Sequence, residues 1–173
     1  LLRALALLRD QQGLKPVLKL AGGGKDNARR AAQKLCTELG LDDQVEFLGH
    51  HKNVPGLLMA HQICVLSTHF EGMPLSLIEG MAAGCTAIGT RAPGVQEVIE
   101  HGRNGLLVAH EDAQSLADAL ALVLTQVETG ERLARTGAQD ARELYTLERM
   151  ISRYERLFQQ ITAPVPDKDF SRV

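Results

Sequence analysis

A chain of 173 residues with 45% hydrophobic and 23% charged residues has the balance of an ordinary globular protein and the length for one sizeable core. A formal charge of −2, 3% aromatic residues and no tryptophan supply neither a basic surface nor stacking platforms, so nucleic acid is excluded as a partner. Cys36, Cys64 and Cys85 are odd in number and widely spaced, without C-x-x-C or H-E-x-x-H motifs. That pattern argues against a redox pair or a structural metal and for a reducing, cytoplasmic setting.

The chain opens on Leu2 to Arg9, read as the end of a helix, and Pro16 to Ala21 as a short buried strand. Leu1 to Leu8 is apolar but is interrupted by Arg3 and lacks a cleavage region, so it is not a signal peptide. The first residue is not methionine, and the expectation is a piece of a longer protein. Gly22-Gly23-Gly24 turns the chain into an amphipathic helix over Lys25 to Leu39, closed by Gly40. Val45 to Leu48 is the next strand, ended by Gly49, and a short helix near Val54 to Ala60 precedes a strand at Ile63 to Leu66.

Pro74 starts a helix, and Cys85 to Gly89 is a further strand in which Cys85, like Cys64 before it, reads as a small buried hydrophobe. Val95 to Glu100 is a short helix and Gly105 to Val108 the last strand. This alternation predicts an α/β fold, a Rossmann-like parallel sheet flanked by helices and joined by right-handed crossovers. The last third is helical: Asp112 to Gln126 with Asp112 as N-cap, Glu131 to Leu144, and a third helix capped by Thr146. In that third helix Leu147, Met150, Ile151, Tyr154, Leu157, Phe158 and Ile161 form one apolar stripe. The stripe must pack on this domain or on a neighbour. Arg149, Arg153 and Arg156 alternate with Glu148 and Glu155 and read as a solvated face. Residues 1–161 form one domain and 162–173 a flexible tail.

Two segments invite a ligand. The triple glycine has Asn27 where a dinucleotide fingerprint needs its third glycine, so a plain strand-to-helix turn is the better reading. Glu71 and Glu79, eight positions apart in Glu71-Gly72-Met73-Pro74-Leu75-Ser76-Leu77-Ile78-Glu79, carry more. A proline at the first helical position, amides at Leu75 and Ser76 pointing out of the helix end, and a helix N-terminus suit phosphate oxygens. Gly72 allows close passage beside a ligand. A carboxylate at Glu79 can accept from both hydroxyls of a ribose. Both glutamates could equally be solvated helix-start charges, and patterning leaves the two readings open.

Separated pieces in one order resolve that choice. Val45-Glu46-Phe47-Leu48-Gly49, Glu71-Gly72-Met73-Pro74 through Glu79-Gly80-Met81-Ala82-Ala83-Gly84, Thr90 to Glu97 with Gly94, and Gly102-Arg103-Asn104-Gly105-Leu106-Leu107-Val108 resemble a known family. From Val17 to about Ile161 the chain resembles the C-terminal, nucleotide-sugar-binding domain of group-one (family four) retaining glycosyltransferases of the GT-B fold.

The resemblance implies that Glu71 is catalytic, lying against the donor sugar and stabilising its developing cation. Glu79 would hold the ribose, and backbone around Gly72, Met73, Pro74, Leu75 and Ser76 would meet the diphosphate. Gly49, His50 and His51 would line the base. It implies no metal and no cofactor beyond the nucleotide diphosphate sugar. It also implies an N-terminal acceptor domain absent from this sequence, an isolated domain without activity, a role in cell-envelope polysaccharide biosynthesis and peripheral membrane association of the full enzyme. Departures are Gln62 where Asp is usual, Pro93 for one glycine of a pair, and Pro74, which has no amide where glycine is frequent. The rivals are a nucleotide-sugar epimerase on the same fold and a non-catalytic nucleotide-sugar binding module.

Overall fold

The computed structural model describes residues 1–162; the expected tail lies almost wholly outside them. In chain order the elements are α1 (Leu2–Gln12), β1 (Leu18–Ala21), α2 (Asp26–Glu38), β2 (Val45–Gly49), α3 (Val54–Met59), β3 (Ile63–Leu66), α4 (Leu75–Ala82), β4 (Thr86–Thr90), α5 (Val95–Val98), β5 (Gly105–Val108), α6 (Ala113–Thr125), α7 (Val127–Leu144) and α8 (Leu147–Thr162). The expected alternation is present, with shifts of a residue or two at most ends; Cys85 falls just before its strand.

Every strand pairing is parallel, as expected, but the strands fall into two sheets: β1 with β2, and β3–β4–β5 in that order. A single sheet was the expectation. A cleft of about 440 Å³, lined by Leu18 and Leu20 of β1 and Ile63 and Val65 of β3, keeps the two halves from hydrogen-bonding.

Strand β4 organises the core because alternate residues serve opposite faces. Ile88 joins Leu106 and Val108 against α1 and α6, with Leu5, Leu8, Leu116 and Leu120. Ala87 and Leu107 face the other way, against Leu77 and Met81 of α4 and Ala141 of α7. Helices thus cover both faces, and β4 and β5 are buried throughout.

Helix ends follow local chemistry. Gly13, at φ 67°, closes α1, and its amide donates to the Arg9 carbonyl. Gly40, at φ 62°, ends α2, while the Arg9 guanidinium donates to the Leu39 and Gly40 carbonyls at 2.9 and 2.8 Å. Asp112 accepts from the Ser115 amide and Thr146 from the Arg149 amide, so both expected caps are made.

One boundary differs. Helix α7 begins at Val127, not Glu131, because the single non-helical residue Gln126 (φ −107°, ψ 77°) separates it from α6. Gly130 is no breaker but a close approach. A Cβ there would lie 3.3 Å from the Val123 carbonyl oxygen, and its own carbonyl accepts from the buried Thr86 hydroxyl.

The Gly102 to Gly105 turn is tied to α7. Asp140 accepts from Arg103 and from Asn104 at 2.5 and 2.6 Å. Asn104 also accepts from the Glu100 amide and donates to the Val98 carbonyl. Arg103 bonds Glu100 as well. Burial pushes the Asp140 carboxyl up, but the hydrogen bonds from Arg103 and Asn104 outweigh it and hold the carboxyl below its usual range.

The apolar stripe of α8 is uncovered: Leu147 is 62% exposed and Ile161 69%. Its first half borders a hollow of about 400 Å³ shared with Met73, Leu75 and Tyr145. No helix among the described residues is long and apolar enough to cross a membrane.

Candidate functional site

In a parallel α/β sheet, ligands gather beyond the carboxyl ends of the strands. Residues 67–74 leave β3 at that edge and carry Glu71. Contacts from the last residue of β4 and from the loop after it pin the segment. The buried Thr90 hydroxyl donates to the Thr68 carbonyl at 2.6 Å and accepts from its amide at 3.1 Å. The Glu71 amide donates to the Pro93 carbonyl at 3.2 Å. Gly94, at φ 78°, packs directly under the Glu71–Gly72 peptide.

Replacement of glycine by Pro93 therefore leaves this contact intact, because only its carbonyl is used. The Gln62 side chain is exposed, and its carbonyl accepts from the Thr86 amide.

The helix start differs from the expectation. Pro74 is the N-cap of α4 and not its first helical residue. At φ −79° and ψ 74° it lies close to the centre of an inverse γ-turn, in which the Leu75 amide donates to the Met73 carbonyl at 2.9 Å. The Leu75 amide is thus consumed inside the turn, contrary to its expected role toward a diphosphate. The Leu77 and Ile78 amides go to the Pro74 carbonyl, and Ser76 is left as the outward-facing donor of the first turn.

Helix α4 sits close on β3 because Gly80 has no side chain. A Cβ there would meet Cys64 Cβ at 2.6 Å. This approach sets Ser76 and Glu79 near Cys64 of β3. Cys64 donates from sulfur toward the Ser76 carbonyl, and burial first, then Cys85 and Glu79, push its thiol up to about 12. Cys85 is buried, its thiol donating to the Leu58 and His61 carbonyls.

The expected site residues fall into groups. His50, His51, Ser76 and Glu79 line one cavity, the cleft of about 440 Å³ that runs on between β1 and β3. His51 is half-buried, while His50, Ser76 and Glu79 are exposed. Gly49 stands just behind them: at φ 64° it ends β2, and its carbonyl accepts from the Gly22 amide at 2.7 Å. Met73 and Leu75 turn instead toward α8, where Leu75 is 60% exposed. Glu71 is half-buried on the pinned loop and lines neither hollow. Gly72 is exposed, and a Cβ there would meet open space, so its freedom from a side chain answers no contact within the chain.

Thr90 is the positioning residue that sequence reasoning passed over. A hydroxyl at the carboxyl end of a strand that is buried throughout is the signal that marks it. Among the described residues, one group of potential metal ligands converges: His69, His110 and Glu111, all exposed, with ligand atoms within 4.8 Å of one another.

Residues 1–126 match the family described as Glycosyl transferases group 1. The chain is 32% identical over 128 residues to N-acetyl-alpha-D-glucosaminyl L-malate synthase of Bacillus anthracis, covering 74% of this chain and 34% of that protein. It is 30% identical over 157 residues to the putative glycosyltransferase EpsD of Bacillus subtilis, covering 89% and 40%. The chain thus spans between about a third and two-fifths of the length of these relatives.

Among solved structures, it matches sucrose-phosphate synthase of Thermosynechococcus elongatus with a TM-score of 0.82 and 26% identity, over 92% of this chain and 42% of that one. It also matches Anabaena Alr3699/HepE in complex with UDP-glucose with a TM-score of 0.83 and 21% identity, over 91% and 44%, a likeness of fold. These neighbours are glycosyltransferases of the GT-B fold, and the chain belongs to the group 1 glycosyltransferase family.

Proposed function

We propose that this chain is the donor-binding half of a retaining glycosyltransferase that moves a sugar from a nucleotide diphosphate sugar to a hydroxyl acceptor. The observation that carries the reading is the shared cavity of His50, His51, Ser76 and Glu79 at the carboxyl edge of the sheet, in a chain of this family. In this arrangement Glu79 accepts from the ribose hydroxyls and His51 borders the base. The Ser76 amide, at the positive end of α4, meets a diphosphate oxygen.

Glu71, on its pinned loop, faces the sugar and stabilises the charge that develops on the ring. The acceptor oxygen bonds to the anomeric carbon on the face from which the diphosphate departs, and its proton passes to a diphosphate oxygen. Leaving-group charge falls to backbone dipoles and protein cations, without a metal. This differs from a retaining glycosidase, where two carboxylates flank one scissile bond. The acceptor side belongs to a further domain of the full-length protein, so residues 1–173 alone bind donor weakly and transfer nothing.

One solved neighbour, Anabaena Alr3699/HepE, holds UDP-glucose, and relatives of this chain include an exopolysaccharide phosphotransferase and a lipopolysaccharide core biosynthesis glycosyltransferase. These likenesses favour a uridine diphosphate sugar and cell-envelope polysaccharide synthesis in the cytoplasm, on a peripherally membrane-associated enzyme. Family membership favours transfer over epimerisation or simple binding.

Product analysis of the full-length protein with a donor and mixed hydroxyl acceptors tests the reading. A glycosylated acceptor with retained anomeric configuration supports it. Release of epimerised sugar with free nucleotide, or binding without turnover, defeats it.

A further inference from the structure

We infer that His69, His110 and Glu111 form a site for one divalent transition-metal cation of the zinc class, which braces the loop that carries Glu71. Each side chain offers one ligand atom, and the three atoms lie within 4.8 Å of one another. His69 Nε2 stands 3.9 Å from Glu111 Oε1, beyond hydrogen-bond range, and the two imidazole rings meet edge to face with centroids 4.5 Å apart. A surface ion pair between His69 and Glu111 accounts for only two of the three groups. A tetrahedral shell with bonds of about 2 Å sets its ligand atoms about 3.3 Å apart, so no pair has to close by more than about 1.5 Å. All three side chains are exposed and free to make that rotation.

The convergence is built by two loops at the carboxyl edge of one sheet: His69 follows β3, and His110 and Glu111 follow β5. Each loop is fixed on both sides of its ligands. Thr68 is tied to Thr90, and its own hydroxyl donates to the Phe70 carbonyl at 3.0 Å. The Ala109 amide donates to the Ser115 hydroxyl at 3.1 Å, and Asp112 accepts from the Ser115 amide at 3.0 Å. Neighbouring residues of an extended chain point to opposite sides. At Glu111 the backbone turns left-handed, with φ 56°, the one such non-glycine position among the described residues. That turn lets the Glu111 carboxylate reach the point that the adjacent His110 ring reaches.

Two imidazoles and one carboxylate suit a borderline cation such as Zn2+ over Mg2+ or Ca2+, which take shells of oxygen. The fourth position falls to water. None of the three residues lines the cavity of His50, His51, Ser76 and Glu79, so the site is independent of the donor assignment. Its effect is mechanical: the cation joins the β3 loop, two residues before Glu71, to the loop after β5.

Calorimetric titration of Zn2+ into chelator-treated, full-length protein tests this, alongside His69→Gln, His110→Gln and Glu111→Gln. Wild type should take up one equivalent with a Kd below about 10 µM, and each substitution should weaken that equivalent at least about tenfold. All three positions are exposed, so each variant should keep the native Tm. Hydrogen exchange at residues 68–71 should slow when Zn2+ is added to wild type and stay unchanged in His110→Gln, whose substitution lies on the opposite loop. Absence of a saturable equivalent, or one that the three substitutions leave unchanged, overturns the site. An equal loss with His50→Gln also overturns it, as adventitious binding to surface imidazoles. Binding that leaves exchange at residues 68–71 unchanged overturns the brace.

Discussion

A Cβ added to Gly94 would lie 2.2 Å from the carbonyl oxygen of Glu71, and 3.1 Å from that of Gly72. Glycine is required there twice over, for this approach and for its φ of 78°. The contact runs from the loop after β4 to the backbone that presents Glu71, so the carboxylate's position is set in part from a separate loop.

Gly94→Ala should therefore displace the Glu71 loop. The left-handed conformation alone costs about 1 to 2 kcal/mol with a side chain, and the backbone clash adds to it. In the full-length enzyme we expect a lower Tm and a fall in kcat larger than any rise in KM. A variant with native Tm and native kcat would show that the loop is not held this way.

Thr90→Val keeps the size of the side chain and removes both hydrogen bonds to Thr68. A cost of about 1 to 2 kcal/mol is expected from the buried amide and carbonyl left unpaired, read from a urea midpoint. If the loop depends on this tie, the backbone of residues 68–71 will also lose exchange protection. Unchanged protection would assign the tie no positioning role.

Glu71→Gln should lower turnover of the full-length enzyme about a hundredfold while the donor Kd stays within roughly threefold, because the carboxylate acts on charge that develops during transfer. Single-turnover rates alongside donor titrations separate the two. Unchanged turnover would remove Glu71 from the chemistry.

Much of this was legible from residues alone. Glycines at positions 40 and 49, the caps at Asp112 and Thr146, and the apolar strands announce themselves by local chemistry. Other features are tertiary. That Gly80 lets α4 settle on Cys64, or that Gly130 is an approach and not a break, depends on which element lies opposite. Pro74 read as a first helical residue because its φ fits a helix; only its ψ of 74° makes it a turn. The division into two sheets has no signature within any single strand, since an unpaired edge is a property of what stands beside it.

Asp140 offers a pH test. Its carboxyl is held below the usual range, so the stabilisation is present above about pH 4 and lost as pH falls through the lower folded value. Arg103 is 44% exposed and Asp140 12%, so solvent screening holds the effect to about 0.2 to 1 kcal/mol. Asp140→Asn should lower the urea midpoint at pH 7, and the gap from wild type should narrow by pH 3. A gap that does not change with pH would mean the charge is not responsible.

With its thiol raised to about 12, Cys64 should resist iodoacetamide at pH 7.5 in the folded full-length protein and react readily once unfolded. Mass spectrometry of the alkylated peptides reads this directly. Rapid labelling in the native state would contradict the close seat of α4 on β3.

The donor site itself is tested most directly by calorimetric titration of UDP-, GDP- and ADP-sugars into the full-length protein and its Glu79→Gln variant. One nucleotide class should bind the wild type with clear preference. The variant should bind that class more weakly by about 2 kcal/mol, or roughly thirtyfold in Kd, as expected for lost hydrogen bonds to a charged group. Equal binding by wild type and variant, or no binding of any nucleotide sugar, would contradict the assignment of this cleft to a donor.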